Sequence, residues 1–309
     1  MRIEERDVPA AGPGQIGVRV AAAAVNFPDV LLVANSYQIS VPTPFVPGSE
    51  FAGVVDEIGP EASGFAIGDR VTGTGMFGAF AQRVVVDAAS LALIPDEIDA
   101  QTAAAFGVAH RTAYHTLRSA ARLSKGDDLV VLGAGGGVGL AAVQLGIALG
   151  ATVTAVASSP EKLDVAAHYG AAHVVNHKGQ DLRTALRAAL PDGADVVVDP
   201  VGGELSEPAL RSLSRGGRFV TVGFASGVIP RIPLNLVLIK GITVLGFQFH
   251  DVPSDEFTRN EAELRQLLVA ERIEPHVGAT FSLDETGDAL RYVADGKAIG
   301  KVLIDVAGA

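Results

Sequence analysis

Two rhythms of apolar and polar positions alternate along the chain. Up to about Ala105 the apolar runs are short, at Gln15–Ala23, Phe51–Ile58 and Phe80–Val86. Pro42, Pro44 and Pro47 share one loop, and Gly48, Gly53, Gly59, Gly64 and Gly68 follow in quick succession. Short strands divided by turn residues predict a compact β-rich domain. From Gln101 the texture changes to a helix, and then to strands and helices in regular alternation. Strands are predicted at Asp128–Leu132, Thr152–Ala157, Val174–Val175, Asp195–Asp199, Arg218–Gly223 and Ile242–Phe249. Helices are predicted at Val138–Leu149, Glu161–Tyr169, Asp181–Leu190, Leu205–Leu213 and Leu234–Ile239. Ser159-Pro160 starts the second of these helices, with proline in its first turn. This spacing implies right-handed βαβ crossovers and a doubly wound parallel sheet. One amphipathic helix, Ser254–Ala270, follows, and the chain then returns to its opening texture.

Composition narrows the class. The 309 residues are 48% hydrophobic and 19% charged, enough for two domains with large cores. A net charge of −11 disfavours a nucleic-acid partner. Mean hydropathy is positive, yet no apolar stretch of ~18 residues runs unbroken, as a membrane span requires. Ala23–Ala34 comes nearest, and Asn26, Pro28 and Asp29 interrupt it. No secretory signal is visible at the start, and cytoplasm is the expected compartment. The chain has no cysteine, which removes disulfides, thiolate nucleophiles and Cys-ligated metals. His110 and His115 lie five apart on a helix, a poor spacing for a shared ligand, and read as ordinary helix residues. No metal site is expected.

The chemistry-bearing segment is Gly133-Ala-Gly-Gly-Gly-Val-Gly139, which follows an apolar strand and opens a helix. Glycine here permits a sharp turn and close approach to a pyrophosphate, and the helix N-terminus offers free N–H groups. Ala134, Gly136, Gly137, Val138 and Gly139 are the expected contacts. The choice of dinucleotide is made about 20 residues on, at the end of the second strand, where a carboxylate would hold the ribose 2′-OH. Ala157-Ser158-Ser159 stands there instead, with Lys162 one turn later. Ser158 can donate to a 2′-phosphate and Lys162 can neutralise it, which favours NADPH. The alternative for Lys162 is a solvated helix lysine.

Ala-Val-Asn-Phe-Pro-Asp (24–29), Pro-Phe-Val-Pro-Gly-Ser-Glu-Phe-Ala-Gly-Val-Val (44–55), Gly-Asp-Arg-Val (68–71), Gly-Ala-Phe-Ala (78–81), Thr-Ala-Tyr-His (112–115), Asp-Pro-Val-Gly-Gly (199–203) and Gly-Lys-Val-Leu (300–303) complete the picture. With these the chain resembles, over essentially its whole length, the zinc-independent quinone oxidoreductases of the medium-chain dehydrogenase/reductase superfamily. The resemblance implies a GroES-like catalytic domain over 1–105, completed by 272–309, and a Rossmann domain over 106–271. Zinc-binding cousins carry Cys near Asn26, and Gly-His-Glu where this chain has Gly48-Ser49-Glu50, so both ligands are replaced. An alcohol dehydrogenase needs that Lewis acid; hydride delivery to an electron-poor quinone or enone does not.

By the same resemblance, Asn26, Asp29 and Tyr37 lie near the nicotinamide and substrate. Asn26 can donate to a carbonyl or to the carboxamide. Tyr37 can stack on a flat substrate or donate its phenol proton, and otherwise is a surface aromatic. Asp29 reads as a capping or pairing residue before it reads as a catalyst. Some relatives have a second tyrosine where this chain has Leu31, which implies a more apolar pocket. Thr112 is expected near the nicotinamide phosphate, His177 beside the 2′-phosphate and Lys301 near the pyrophosphate. Phe224 and Ala225 are expected at the nicotinamide. Phe247–Phe249 either closes the site or forms an edge strand pairing across a homodimer. Relatives also carry a strand and turn ahead of the position of Met1, so the chain is expected to open within their second strand.

The function these features imply is NADPH-dependent reduction of quinones or other α,β-unsaturated carbonyls. The alternatives are an enoyl-thioester reductase and a non-catalytic NADPH-binding protein.

Overall fold

The computed structural model describes residues 2–307. Residues 2–14 form no strand or helix. The first stretch then runs β1 (Gln15–Val25), α1 (Phe27–Val33), β2 (Glu50–Ile58), β3 (Arg70–Thr74), β4 (Arg83–Asp87), β5 (Leu91–Leu93) and α2 (Ala100–His115). The middle stretch alternates: β6 (Asp128–Leu132), α3 (Gly137–Ala148), β7 (Thr152–Ala157), α4 (Pro160–His168), β8 (His173–Asn176), α5 (Leu182–Ala189), β9 (Ala194–Asp199), α6 (Ser206–Ser212), β10 (Leu213–Thr221), α7 (Leu234–Lys240), β11 (Thr243–Gly246) and α8 (Ser254–Val269). The chain closes with β12 (Val277–Ser282), α9 (Thr286–Ala294) and β13 (Lys301–Asp305). Two compact units result: one holds the residues up to Ala109 and from Glu274 onward, the other His110–Ile273.

In the first unit the strands make one mixed sheet in the order β12-β13-β1-β2-β3-β5, with β4 also against β1. β1 organises it. Ile16, Val18 and Val20 enter the main core with Phe51, Val55, Val71 and Val84, and so do Ala23 and Val25. The parity switches from even to odd because the β1–β2 register shifts between Val20 and Ala22. A bulge of this kind turns every later side chain to the opposite face. Ala22 and Ala24 thereby face Ala103, Ala104 and Ala105 of α2. Alanine on both sides lets helix and strand approach closely.

The interruption in the apolar run at 23–34 proves to be a helix start. Asn26 is the N-cap of α1, Pro28 lies in its first turn, and Asp29 Oδ2 accepts the Asn26 backbone N–H at 2.7 Å. Proline is tolerated there because that N–H has no helical partner in any case.

The second unit is a six-stranded parallel sheet in the order β11-β10-β9-β6-β7-β8. β6 and β9 bury nearly every residue, as strands covered on both faces do. Strand order reverses between β6 and β9. Ligands of such sheets bind in the crevice outside the carboxyl ends at that point. β11 is shorter than the run 242–249 suggested, and Phe247 and Phe249 leave the ladder. Among the described residues no helix is long and apolar enough to cross a membrane.

Candidate functional site

Five polar side chains converge inside the first unit: Asn26, Asp29, Ser49, Glu50 and Lys301. β1 delivers Asn26 at its end, β2 begins with Glu50, and β13 begins with Lys301. Lys301 Nζ donates to Asn26 Oδ1 at 2.6 Å and pairs with Glu50 Oε2 at 3.0 Å. Asn26 Nδ2 donates to the same Glu50 oxygen at 3.0 Å and to Ser49 Oγ at 3.2 Å. The other Glu50 oxygen accepts the Val108 backbone N–H at 2.6 Å. Gly107 makes room for it, since a Cβ there would lie 2.9 Å from Glu50 Oε1. A buried ion pair survives only when its remaining hydrogen-bonding positions are filled, as here. Burial drives Asp29 up from 3.8 to about 6, against the hydrogen bond from the Asn26 backbone, the Ser49 side chain and the Lys301 charge, which all favour its carboxylate.

Asn26 thus serves both as the N-cap of α1 and, through its side chain, as a member of this network. Lys301, expected near a pyrophosphate, has its ammonium on Asn26 and Glu50. Tyr37 sits half-buried on the loop after α1 and takes no part in these contacts.

The second unit carries the glycine turn at the carboxyl end of β6. Gly133 has φ 62°, a left-handed conformation, and a Cβ there would lie 2.6 Å from Val201 Cγ2. Gly139 carries no Cβ because it would run into the Gly133 carbonyl. Gly136 is the N-cap of α3, and no side chain caps the helix. A Cβ on Gly136 would meet nothing nearer than the Gly133 carbonyl oxygen at 3.5 Å. The Gly137, Val138 and Gly139 amides therefore open α3 without a side-chain cap, an arrangement that suits an anion.

At the ends of β7 and β8 the cationic groups gather. The Lys162 stem lies across Gly135, where a Cβ would come within 2.6–2.7 Å of its carbons. Burial and then the Lys178 charge lower the Lys162 pKa; burial, Lys178 and Lys162 lower that of His177. Such a cluster disfavours its own charge until an anion neutralises it. Ser158 is half-buried beside it.

Asp199, at the end of β9, accepts the Val201 and Gly202 N–H groups at 2.8 Å and the Ser206 hydroxyl at 2.6 Å. It shapes the loop on which Phe224 and Ala225 rest: the Ala225 N–H donates to the Pro200 carbonyl at 3.1 Å. Thr112 is half-buried on α2. Phe247 is buried against His115 (centroids 6.4 Å apart, planes 17°), and Phe257 stacks on the ring at 4.7 Å. His115 is fully engaged, its Nε2 at 2.8 Å from Glu261 and its Nδ1 at 3.3 Å from the Asn260 amide. Among the described residues no three His, Asp or Glu side chains gather as a metal-binding group.

Comparison with known proteins decides the family. Residues 12–96 match the alcohol dehydrogenase GroES-like domain, and 137–266 match the zinc-binding dehydrogenase family. The quinone oxidoreductase-like protein 2 of Bos taurus is 36% identical across 98% of this chain and 88% of its own. The chain belongs to the quinone oxidoreductase-like family of the medium-chain dehydrogenase/reductase superfamily. Human quinone oxidoreductase is 28% identical over 96% of this chain and 91% of its own. Escherichia coli quinone oxidoreductase, solved in complex with NADPH, superimposes with a TM-score of 0.91 at 26% identity, covering 98% of this chain and 95% of that one.

In sequence Ser49 reads only as a replaced ligand position and Glu50 only as part of a shared run, and nothing there joins Glu50 to Lys301. Their separation of 251 residues leaves no local signal. Asp199 was visible only as part of a shared run of residues.

Proposed function

We propose that this protein reduces quinones or other α,β-unsaturated carbonyls with NADPH and without zinc. The observation that carries the reading is the Asn26–Ser49 hydrogen bond. Neutral side chains occupy both positions at which zinc-binding cousins place ligands, and they are bonded to each other. An acceptor whose carbon is already electron-poor suits such a site better than an alcohol, which needs a Lewis acid.

Bound NADPH supplies the hydride. The Gly137–Gly139 amides hold the pyrophosphate, and Ser158, Lys162 and His177 hold the 2′-phosphate. Thr112, Phe224 and Ala225 serve the nicotinamide end. The NADPH complex of the E. coli relative supports the choice of cofactor. The polar cluster of the first unit takes the acceptor carbonyl, and Tyr37 contributes an aromatic face. Catalysis consists of positioning and polarisation, with no covalent intermediate.

We also read the protein as a homodimer. β11 is the edge of the parallel sheet, and Val244 on it is exposed. Leu234 and Leu238 of the preceding α7 are 76% and 83% exposed. Apolar edges left open invite aggregation, whereas a two-fold copy would cover this one.

The test is oxidation of NADPH and of NADH against a panel of quinones, enones and crotonyl thioesters. Turnover of quinones or enones with preference for NADPH is expected, and Lys162→Ala should cut that preference about tenfold. No turnover with any quinone or enone would overturn the reading. Faster reduction of the thioesters would move the activity to acyl chains.

A further inference from the structure

Gly135 differs from its neighbours in the glycine turn by what stands over it. Gly133 needs its left-handed φ, and Gly139 lies against the Gly133 carbonyl. Gly135 has no positive φ, so its backbone suits any residue. The three atoms nearest its missing Cβ are all side-chain carbons of Lys162, Cβ and Cγ at 2.6 Å and Cδ at 2.7 Å. Contact through three successive carbons means that the stem lies along the glycine instead of touching it with its tip. Neither backbone conformation nor backbone packing calls for glycine here; the lysine does.

Both sides of this contact are fixed by the backbone. The Ala134 N–H donates to the Val156 carbonyl at 2.9 Å, which ties the turn to the end of β7. Ser159 is the N-cap of α4: its hydroxyl oxygen accepts the Lys162 N–H at 3.5 Å, and its carbonyl accepts the Leu163 N–H at 3.2 Å. Lys162 therefore leaves the first turn of α4 from a fixed root. A methyl on residue 135 would overlap the stem at that root, so moving the tip alone gives no relief. The stem must leave the turn, and the ammonium goes with it. That ammonium lies within electrostatic reach of His177 and Lys178, each of which feels or lowers its charge. A lysine in solvent samples many rotamers, and binding a phosphate freezes them. One already laid along a glycine has given up much of that freedom, and the phosphate binds more tightly for it.

We propose that Gly135 is a specificity-determining position, whose missing side chain seats the Lys162 stem and so presents the ammonium to the 2′-phosphate of NADPH in a preset conformation. The proposal rests on the reading of Ser158, Lys162 and His177 as the 2′-phosphate site. Gly135 acts through Lys162 and is a positioning residue. Discrimination between NADPH and NADH then depends on the glycine turn as well as on the end of β7.

The experiment titrates NADPH, NADH and adenosine 2′,5′-bisphosphate, a nicotinamide-free probe of the 2′-phosphate site, into wild type, Gly135→Ala, Lys162→Met and the double variant. Gly135→Ala should weaken binding of NADPH and of the bisphosphate about two- to tenfold and leave NADH unchanged. Lys162→Met keeps most of the stem without the charge and should lower the preference for NADPH about tenfold. Adding Gly135→Ala to it should lower the preference no further, because no ammonium is left to displace. Equal weakening of NADPH and NADH in Gly135→Ala would put the methyl against the pyrophosphate and overturn the proposal. An unchanged preference in Gly135→Ala, or a further loss in the double variant, would overturn it too. If Gly135→Ala folds too poorly to titrate, thermal melts decide. Gly135→Ala combined with Lys162→Gly, which removes all three carbons, should melt like Lys162→Gly alone; equal destabilisation in both backgrounds would refute the steric contact. A Lys162→Met protein with wild-type preference brings down the 2′-phosphate reading itself, whatever Gly135→Ala does.

Discussion

Asp29 shows how one buried carboxyl couples stability to pH. Its folded pKa of about 6 lies above the ordinary 3.8, with burial the largest cause. A raised carboxyl favours the protonated fold, so its contribution is complete below pH 4 and is lost as pH rises through about 6. By neutral pH the loss is on the order of 3 kcal/mol. Asp29→Asn keeps an oxygen for the Asn26 N–H and removes the titration. Urea unfolding at pH 4.5, 6 and 7.5 should show the variant gaining on wild type as pH rises; a constant difference would refute the coupling. Lys301→Met leaves Glu50 buried without its cation and should cost about 3–5 kcal/mol. Adding Glu50→Gln should recover most of that, because a neutral amide still accepts the Val108 N–H. Equal melting curves for the single and double variants would show that the pair is uncoupled. The Glu50–Lys301 pairing has no signal in the sequence, where by resemblance Lys301 reads as a pyrophosphate contact and Asn26 as a donor at the nicotinamide; Asp29 reads there as a capping or pairing residue.

Among the elements, α3 and its turn carry the clearest division of labour. Gly139 serves packing, because any side chain would strike the Gly133 backbone. Gly136 has no such neighbour and has φ −89°, which any residue adopts. Gly136→Ala should therefore fold and melt like wild type, yet, if the turn is the proposed pyrophosphate cradle, bind NADPH at least about tenfold more weakly, because the methyl would stand in the path of the phosphates. Gly139→Ala should lower stability by about 1–3 kcal/mol. Calorimetric titration and thermal melts separate the two, and wild-type affinity in Gly136→Ala would remove the cradle assignment. The strands of this unit were readable because parallel strands buried on both faces show as unbroken apolar runs. α1 was harder. Asn26, Pro28 and Asp29 look like interruptions until they are seen as N-cap, first-turn proline and capping carboxylate, and α1 has only seven residues to show a period. β11 is shorter than its sequence pattern, because aromatic alternation over Phe247 and Phe249 imitates a strand. Those rings leave the ladder to pack with His115.

For the whole molecule, the edge of the parallel sheet makes the prediction. If a second copy covers β11, sedimentation should give about twice the chain mass of 31.7 kDa. Val244→Lys together with Leu238→Glu should yield a folded monomer, since charge on an edge strand blunts pairing. A wild-type monomer would refute the dimer. Local periodicity and composition sufficed for the alternation of strands and helices, the glycine turn between β6 and α3, and the absence of thiol chemistry. Each of these depends on neighbours within about one turn or one strand. The convergence of Asn26, Ser49, Glu50 and Lys301, and with it the direction of the Asn26 amide, belongs to the tertiary structure alone. A hydrogen bond acquires its donor and acceptor roles from whichever groups the fold brings within 3 Å, and here the deciding group, the Lys301 ammonium, arrives from 275 residues away.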